Sequence, residues 1–95
     1  MKLIYDTANS LFATAGVASS DIATALARGK LYAYSCTIGS WISQGATPTA
    51  TAGAGSMFVP AGVTVLLSGT FGVELAILRQ GGADGSASLT PVIEQ

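Results

Sequence analysis

The sequence predicts an all-β protein: a small antiparallel β-sandwich or barrel with an extended N-terminal arm and room for one short helix. Three observations carry this. From Lys30 onward, apolar and polar residues alternate with a period of two in short runs, the pattern of half-buried strands. These runs recur at about ten-residue spacing with Gly and Pro between them, as in sandwiches and small barrels. No stretch is long and helical enough to supply the crossovers of a parallel sheet, so pairing is expected to be antiparallel.

The elements follow in order. Lys2 to Tyr5 reads as a short strand. Residues 6–20 are small and weakly periodic and are expected to form an arm whose order comes from a neighbour. The large apolar residues there, Leu11, Phe12 and Val17, are too sparse for a core of their own. Ser19 to Lys30 favours a short helix over a strand: Ser20 or Asp21 can cap it, Ile22, Ala25 and Leu26 have helical spacing, and Gly29 can end it. The chain thus divides into an N-terminal arm or connection, 1–29, and an antiparallel β domain, 30–95.

Within that domain, Leu31 to Thr37 is a strand with Tyr32, Tyr34 and Cys36 on one face and Leu31, Ala33 and Ser35 on the other. After Gly39-Ser40, Trp41 to Gln44 is a second strand, and the two together read as a hairpin. Met57 to Pro60 and Val63 to Gly69 follow, separated by the turn residues Pro60-Ala61-Gly62. Val73 to Arg79 alternates Val73, Leu75 and Ile77 against Glu74, Ala76 and Leu78. Asp84-Gly85 reads as a tight turn, with the Asp84 side chain bonding local backbone. Ala87 to Ile93 is the last strand, and Pro91 places it at an edge or in a bulge, because proline cannot donate to a ladder. The expected core is Leu31, Ala33, Ile42, Val63, Val65, Leu67, Val73, Leu75, Ile77 and Leu89.

Composition narrows the function. A chain of 95 residues is one domain with one modest core. Ala, Gly, Ser and Thr make up 48 of the 95 residues, so large core-formers must be concentrated in a few strands. Only 9% of residues are charged and the net charge is -1, against about 25% charged in an ordinary soluble domain. Free monomers usually rely on a mixed charged surface for solubility. A surface covered by copies of the chain or by partners is therefore favoured over a bare Ser/Thr/Gly surface. Positive mean hydropathy argues against disorder. The four cations, Lys2, Arg28, Lys30 and Arg79, form no basic patch, so direct nucleic-acid binding is not expected. No membrane-spanning or secretory segment is legible.

Catalytic and metal constellations are not expected either. The chain has no His and one Cys, so Cys36 lacks a base and thiol partners and reads as a small buried hydrophobe. Asp6, Asp21, Glu74, Asp84 and Glu94 form no motif; Glu74 is expected to face solvent or to pair with Arg79 or another cation. Gly53 to Ser56 only superficially resembles a phosphate loop, which needs a Lys before Ser or Thr. No enzyme, cofactor or metal is expected. The aromatic residues Tyr32, Tyr34 and Trp41 have three open readings: a core cluster, an interface anchor, or a surface that stacks on a sugar or nucleic acid, the last weakened for nucleic acid by the lack of basic residues beside them. The uncharged run from Gly45 to Gly55 is expected to lie flat against a neighbouring surface, because short side chains lose little entropy on ordering.

The phrases from Leu31-Tyr32-Ala33-Tyr34 through Trp41-Ile42-Ser43-Gln44-Gly45, Gly55-Ser56-Met57-Phe58-Val59-Pro60-Ala61-Gly62, "LAILR" and "GSASLTPV" resemble small β-rich structural proteins of tailed bacteriophages. The resemblance covers about residues 30–93. It implies a non-enzymatic virion protein of the capsid decoration (cement) or head–tail accessory type, assembled in the host cytoplasm. The implied partners are the major capsid protein, other virion proteins and copies of itself. Candidate interface residues are Tyr32, Tyr34, Trp41, Met57, Phe58, Leu11 and Phe12. The alternative is a virion-surface module binding a carbohydrate or receptor, which an exposed platform of Trp41 and Tyr34 would favour.

Overall fold

A computed structural model describes residues 3–23, 30–45, 48–68 and 74–94. It is an antiparallel β-sandwich. Nine strands run β1 Leu3–Tyr5, β2 Leu11–Ala15, β3 Ser20–Ala23, β4 Leu31–Cys36, β5 Ser40–Gly45, β6 Met57–Val59, β7 Val65–Ser68, β8 Glu74–Arg79 and β9 Gly85–Glu94. The first sheet has the order β1-β9-β4-β7, with β2 sharing the β1 side of β9; the second has the order β3-β8-β5-β6.

The N-terminal third corrects the expected division at residue 29. Residues 3–23 are built into both sheets rather than extending from them. Leu3 to Tyr5 pairs with Val92 to Glu94, Leu11 to Ala15 pairs with Gly85 to Leu89, and β3 pairs with β8. The sparse apolar residues suffice because each strand adds to a sheet that others have already built. The expected helix over 19–30 is replaced at Ser20–Ala23 by β3; its continuation over 24–29 lies outside the described residues.

The expected hairpin of β4 and β5 does not form. The strands belong to opposite sheets, and Thr37 to Gly39 is an arch across the core. Local alternation is the same in both arrangements, so it could not separate them. The Tyr34 hydroxyl and Ser40 Oγ, 2.7 Å apart and both buried, link the sheets just below this arch.

The inward face of β4 is Tyr32, Tyr34 and Cys36, which join Ala15, Ile22, Ile42, Val59, Leu67, Leu75, Ile77, Ala87 and Leu89 in the core. Of the expected core, Ile42, Leu67, Leu75, Ile77 and Leu89 are there, and Val65 packs against it. Leu31 is only half-buried, Ala33 is buried on the other face of β4, Val63 is exposed, and Val73 lies outside the described residues. Aromatic rings outcompete Leu31 and Ala33 because they bury more apolar surface.

β9 is the central strand of its sheet, correcting the edge placement. Pro91 is tolerated by a specific device. The Asp6 N–H donates to the Pro91 carbonyl (2.8 Å), so Pro91 turns its backbone toward the β1–β2 side. There the chain leaves the ladder through a 3-10 turn, Thr7–Asn9. The missing N–H falls at that gap, where no ladder bond is required.

Two glycines are required for different reasons. Gly62 has φ +74° at the third position of the Pro60–Val63 turn, closed by Val63 N–H to Pro60 C=O (3.3 Å). Gly85 begins β9, and a Cβ there would collide with Ile38 and lie 2.9 Å from Thr37 Oγ1. Gly85 is thus a packing glycine. The neighbouring Asp84 carboxylate pairs with Arg79 across the β8–β9 loop at 2.5 Å, rather than with local backbone.

Candidate functional site

Residues directly opposite in an antiparallel pair share a face, so the registers sort the side chains. On the outward face of the first sheet, Phe12, Ser88 and Ser35 form one row, Thr90, Ala33 and Leu66 a second, and Tyr5, Val92, Leu31 and Ser68 a third. None of these is charged. Phe12 is 74% exposed and Tyr5 52%. Two shallow depressions lie between the rows. One, about 330 Å³, runs from Phe12 past Ser35 and Ser88 to Thr64; the other, about 270 Å³, runs from Tyr5 past Ala33 and Thr90. The hydroxyls are partly spent on each other: Ser35 and Ser88 Oγ are 3.1 Å apart, and Ser10 Oγ and Thr90 Oγ1 2.8 Å. These three rows are neutral and rich in methyl groups, with two aromatic rings at one side. They can bury against another uncharged surface without desolvating a charge.

The signal for this face was present in the sequence. Ser86, Ser88 and Thr90 alternate with Ala87 and Leu89, and Phe12 and Thr14 alternate with Ala13 and Ala15. Once residues 11–15 are read as a strand, Phe12 must point away from Ala13 and Ala15. Tyr5 and Leu66 were not anticipated; each needs the ladder partner to reveal its face.

The other expected interface residues divide. Tyr34 is wholly buried and Tyr32 nearly so, which corrects their placement at an interface and removes the Trp41–Tyr34 platform. Burial pushes the Tyr34 hydroxyl up to about 12, against the opposing effect of its Ser40 hydrogen bond. Trp41 is half-buried on the outward face of the second sheet, its ring 5.2 Å from that of Phe58 at 57°. Phe58 and Met57 are exposed, as is Leu11.

The uncharged loop does not need a neighbour to order it. Segment 48–56 is anchored over the outward face of its own second sheet. The Ala50 N–H donates to Ser19 Oγ beside β3 (2.9 Å), and Ser43 Oγ on β5 donates to the Gly55 carbonyl (3.2 Å). Between these anchors Ala76, which points outward from β8, has no exposed surface. Short side chains let the backbone approach the sheet.

Glu74 sits beside Asp21 rather than a cation. Its carboxyl is raised above the ordinary value, first by the hydrogen bond to Asp21, then by desolvation and the repulsion of that neighbour. Cys36 is buried and unpaired to another sulfur. Among the described residues no group of three or more His, Cys, Asp or Glu could hold a metal ion, and no helix is long and apolar enough to cross a membrane.

No protein-family model, curated protein or solved structure matches this chain.

Proposed function

We propose that the chain is a non-enzymatic structural subunit of a virion, of the capsid decoration or head–tail accessory type, held in place through the outward face of its first sheet. The observation that carries the docking part is the exposed Phe12 and Tyr5 beside the three uncharged, hydroxyl-bearing rows of that face. Exposed aromatic side chains at the margin of a flat neutral patch are the composition of a protein contact. The virion part rests on the resemblance over residues 30–93. The charge poverty of the whole chain supports both, since a subunit that spends its life assembled needs little charged surface. Partners are the major capsid protein, other virion proteins and further copies of the chain.

Virions purified by density gradient from cells producing the particle that encodes this chain test the reading. The chain is expected in them at fixed stoichiometry and is retained at high salt, because the contact has few charges to screen. Phe12→Glu is expected to fold and be lost from the particle. Absence of the wild-type chain from purified virions overturns the proposal.

A second reading draws on the depression of about 270 Å³ beside Tyr5, lined by Thr7, Ser88 and Thr90. Neutral hydroxyls next to an aromatic ring fit a carbohydrate, making the chain a binding module. Glycan binding by the virion-borne chain, abolished by Tyr5→Ala while that variant is still incorporated into virions, selects this reading.

A further inference from the structure

The ends of the sheets differ in how they are closed. A terminal strand exposes unpaired backbone N–H and C=O groups, and proteins blunt such edges with charge, proline, bulges or short length. Three of the terminal strands here are blunted. β1 has three residues and runs into Asp6; β3 carries Asp21 and a register shift; β6 has three residues and ends at Pro60. β2 is met by the turn into β3, where Ser20 Oγ donates to the Thr14 carbonyl (3.5 Å). β7, Val65-Leu66-Leu67-Ser68, carries no charge, proline or register shift; only its last carbonyl is met, by Gln44 Nε2, and β4 is its one ladder neighbour among the described residues.

The hydrogen-bond phase tells which β7 groups face outward. Pro91 directs its carbonyl to Asp6, so it turns away from Tyr32, the residue opposite it on β4. Backbone groups alternate sides along a strand. Tyr32 and Tyr34 therefore turn theirs toward β7, and the Gly62 N–H bond to the Cys36 carbonyl (3.0 Å) continues the same phase. Leu67 and Val65, opposite these tyrosines, spend their groups on β4. Thr64, Leu66 and Ser68 turn theirs to the open edge. The Ser68 carbonyl there already accepts from Gln44 Nε2 (3.3 Å) and retains a second lone pair. All three residues are exposed.

We propose that β7 pairs antiparallel with β7 of a second copy of this chain, with Leu66 on the two-fold axis, so that the first sheet runs continuously through a dimer. The occupant follows from the strand itself. Its edge demands another extended backbone, and in this register the strand is its own complement. Leu66 meets Leu66 of the second copy in a hydrogen-bonded pair, Thr64 meets Ser68, and Val65 meets Leu67. No charge stands in these five residues, so a second copy meets no like-charge repulsion, and the closed two-fold contact leaves no edge for further growth. The pairing specifies one self-contact within the assembly proposed above and rests on that reading.

Sedimentation velocity on the full chain, up to the millimolar range, is expected to show a reversible dimer. Leu66→Lys places like charges at the axis and is expected to weaken it about tenfold or more, with an unchanged far-UV spectrum. Leu66→Cys is expected to form an intermolecular disulfide in air, since a hydrogen-bonded antiparallel pair has its Cα atoms about 5.5 Å apart. Cys36 is buried, so the new thiol is the reactive one. Thr64→Cys is expected not to crosslink, because the two copies of residue 64 stand about 13 Å apart in this register. A chain that associates equally well as Leu66→Lys, with no Leu66→Cys crosslink, overturns the edge pairing and leaves the virion reading standing. A monomeric wild-type chain with no crosslink also overturns the pairing, whereas absence from virions is the separate result that overturns the function.

Discussion

The two outward faces of the sandwich are built from similar strands and treated in opposite ways. The second sheet carries its own cover: the loop from Pro48 to Ser56 is tied to Ser19 and Ser43, and Ala76 beneath it is wholly buried. The first sheet has no such cover among the described residues, and Phe12 stands 74% exposed on it. An uncharged segment can therefore serve either as internal packing or as bare surface. Small residues alone do not separate these roles, since Ala and Ser occur on both faces; beyond them the first face carries Leu31, Leu66 and Val92 and the second carries Trp41, Leu78 and Asp21. What separates them is whether the chain returns over the sheet.

The sharpest test of this contrast puts the same charge on each face. Ala76→Glu buries a carboxylate under the loop and is expected to cost more than about 3 kcal/mol in denaturant unfolding, enough to unfold a marginal domain. Phe12→Glu is expected to stay within about 0.5 kcal/mol of the parent, as for exposed substitutions generally. Equal costs would mean that the faces are equally covered.

The link between the sheets comes next in size. Tyr34→Phe leaves Ser40 Oγ buried without its partner and is expected to cost about 1–3 kcal/mol. The same residue sets an alkaline limit. Its pKa is raised in the fold from 10.0 to about 12, so the folded state holds the proton more tightly than the unfolded chain. That contribution is complete below pH 10 and is lost as pH rises toward 12, by at most about 1.4 kcal/mol per pH unit. Unfolding curves across this window should flatten in Tyr34→Phe.

Smaller still is the loop anchor. Ser19→Ala removes the acceptor of the Ala50 N–H and is expected to cost about 1 kcal/mol, with faster proteolysis within 48–56. The smallest effect is stabilising. Glu74→Gln relieves the repulsion from Asp21 at neutral pH, so melting should rise slightly. The difference should vanish as pH falls below 4.5, the ordinary carboxyl value, where Glu74 takes up its proton and the penalty is gone.

Particular residues show how far the sequence reaches. Leu75 and Ile77 were placed in the core by alternation alone, and Pro60-Ala61-Gly62 was read as a turn from its chemistry; both hold in the fold. Phe12 was picked out as a contact residue, but on the premise of an arm. Its outward direction instead comes from pairing with Ser88, 76 positions away. The inward face of β4 is not legible in the sequence because Leu31/Ala33 and Tyr32/Tyr34 are both apolar sets, and only the opposing sheet decides which set it accepts.

By itself the sequence determined what is local: an all-β chain, most of its strands, its glycine and proline turns, and its poverty of charge. These follow from steric limits on the backbone and from the period of two, which act between near neighbours. The tertiary structure decided everything that depends on distant pairing. It drew residues 3–23 into both sheets, made an arch of the expected hairpin, centred β9 with Pro91 at the gap between β1 and β2, and folded the small-residue loop over its own sheet. The reason is physical. A strand exposes the same backbone groups whichever strand it joins, so its partner is selected by the fit of whole faces, and no single segment contains that information.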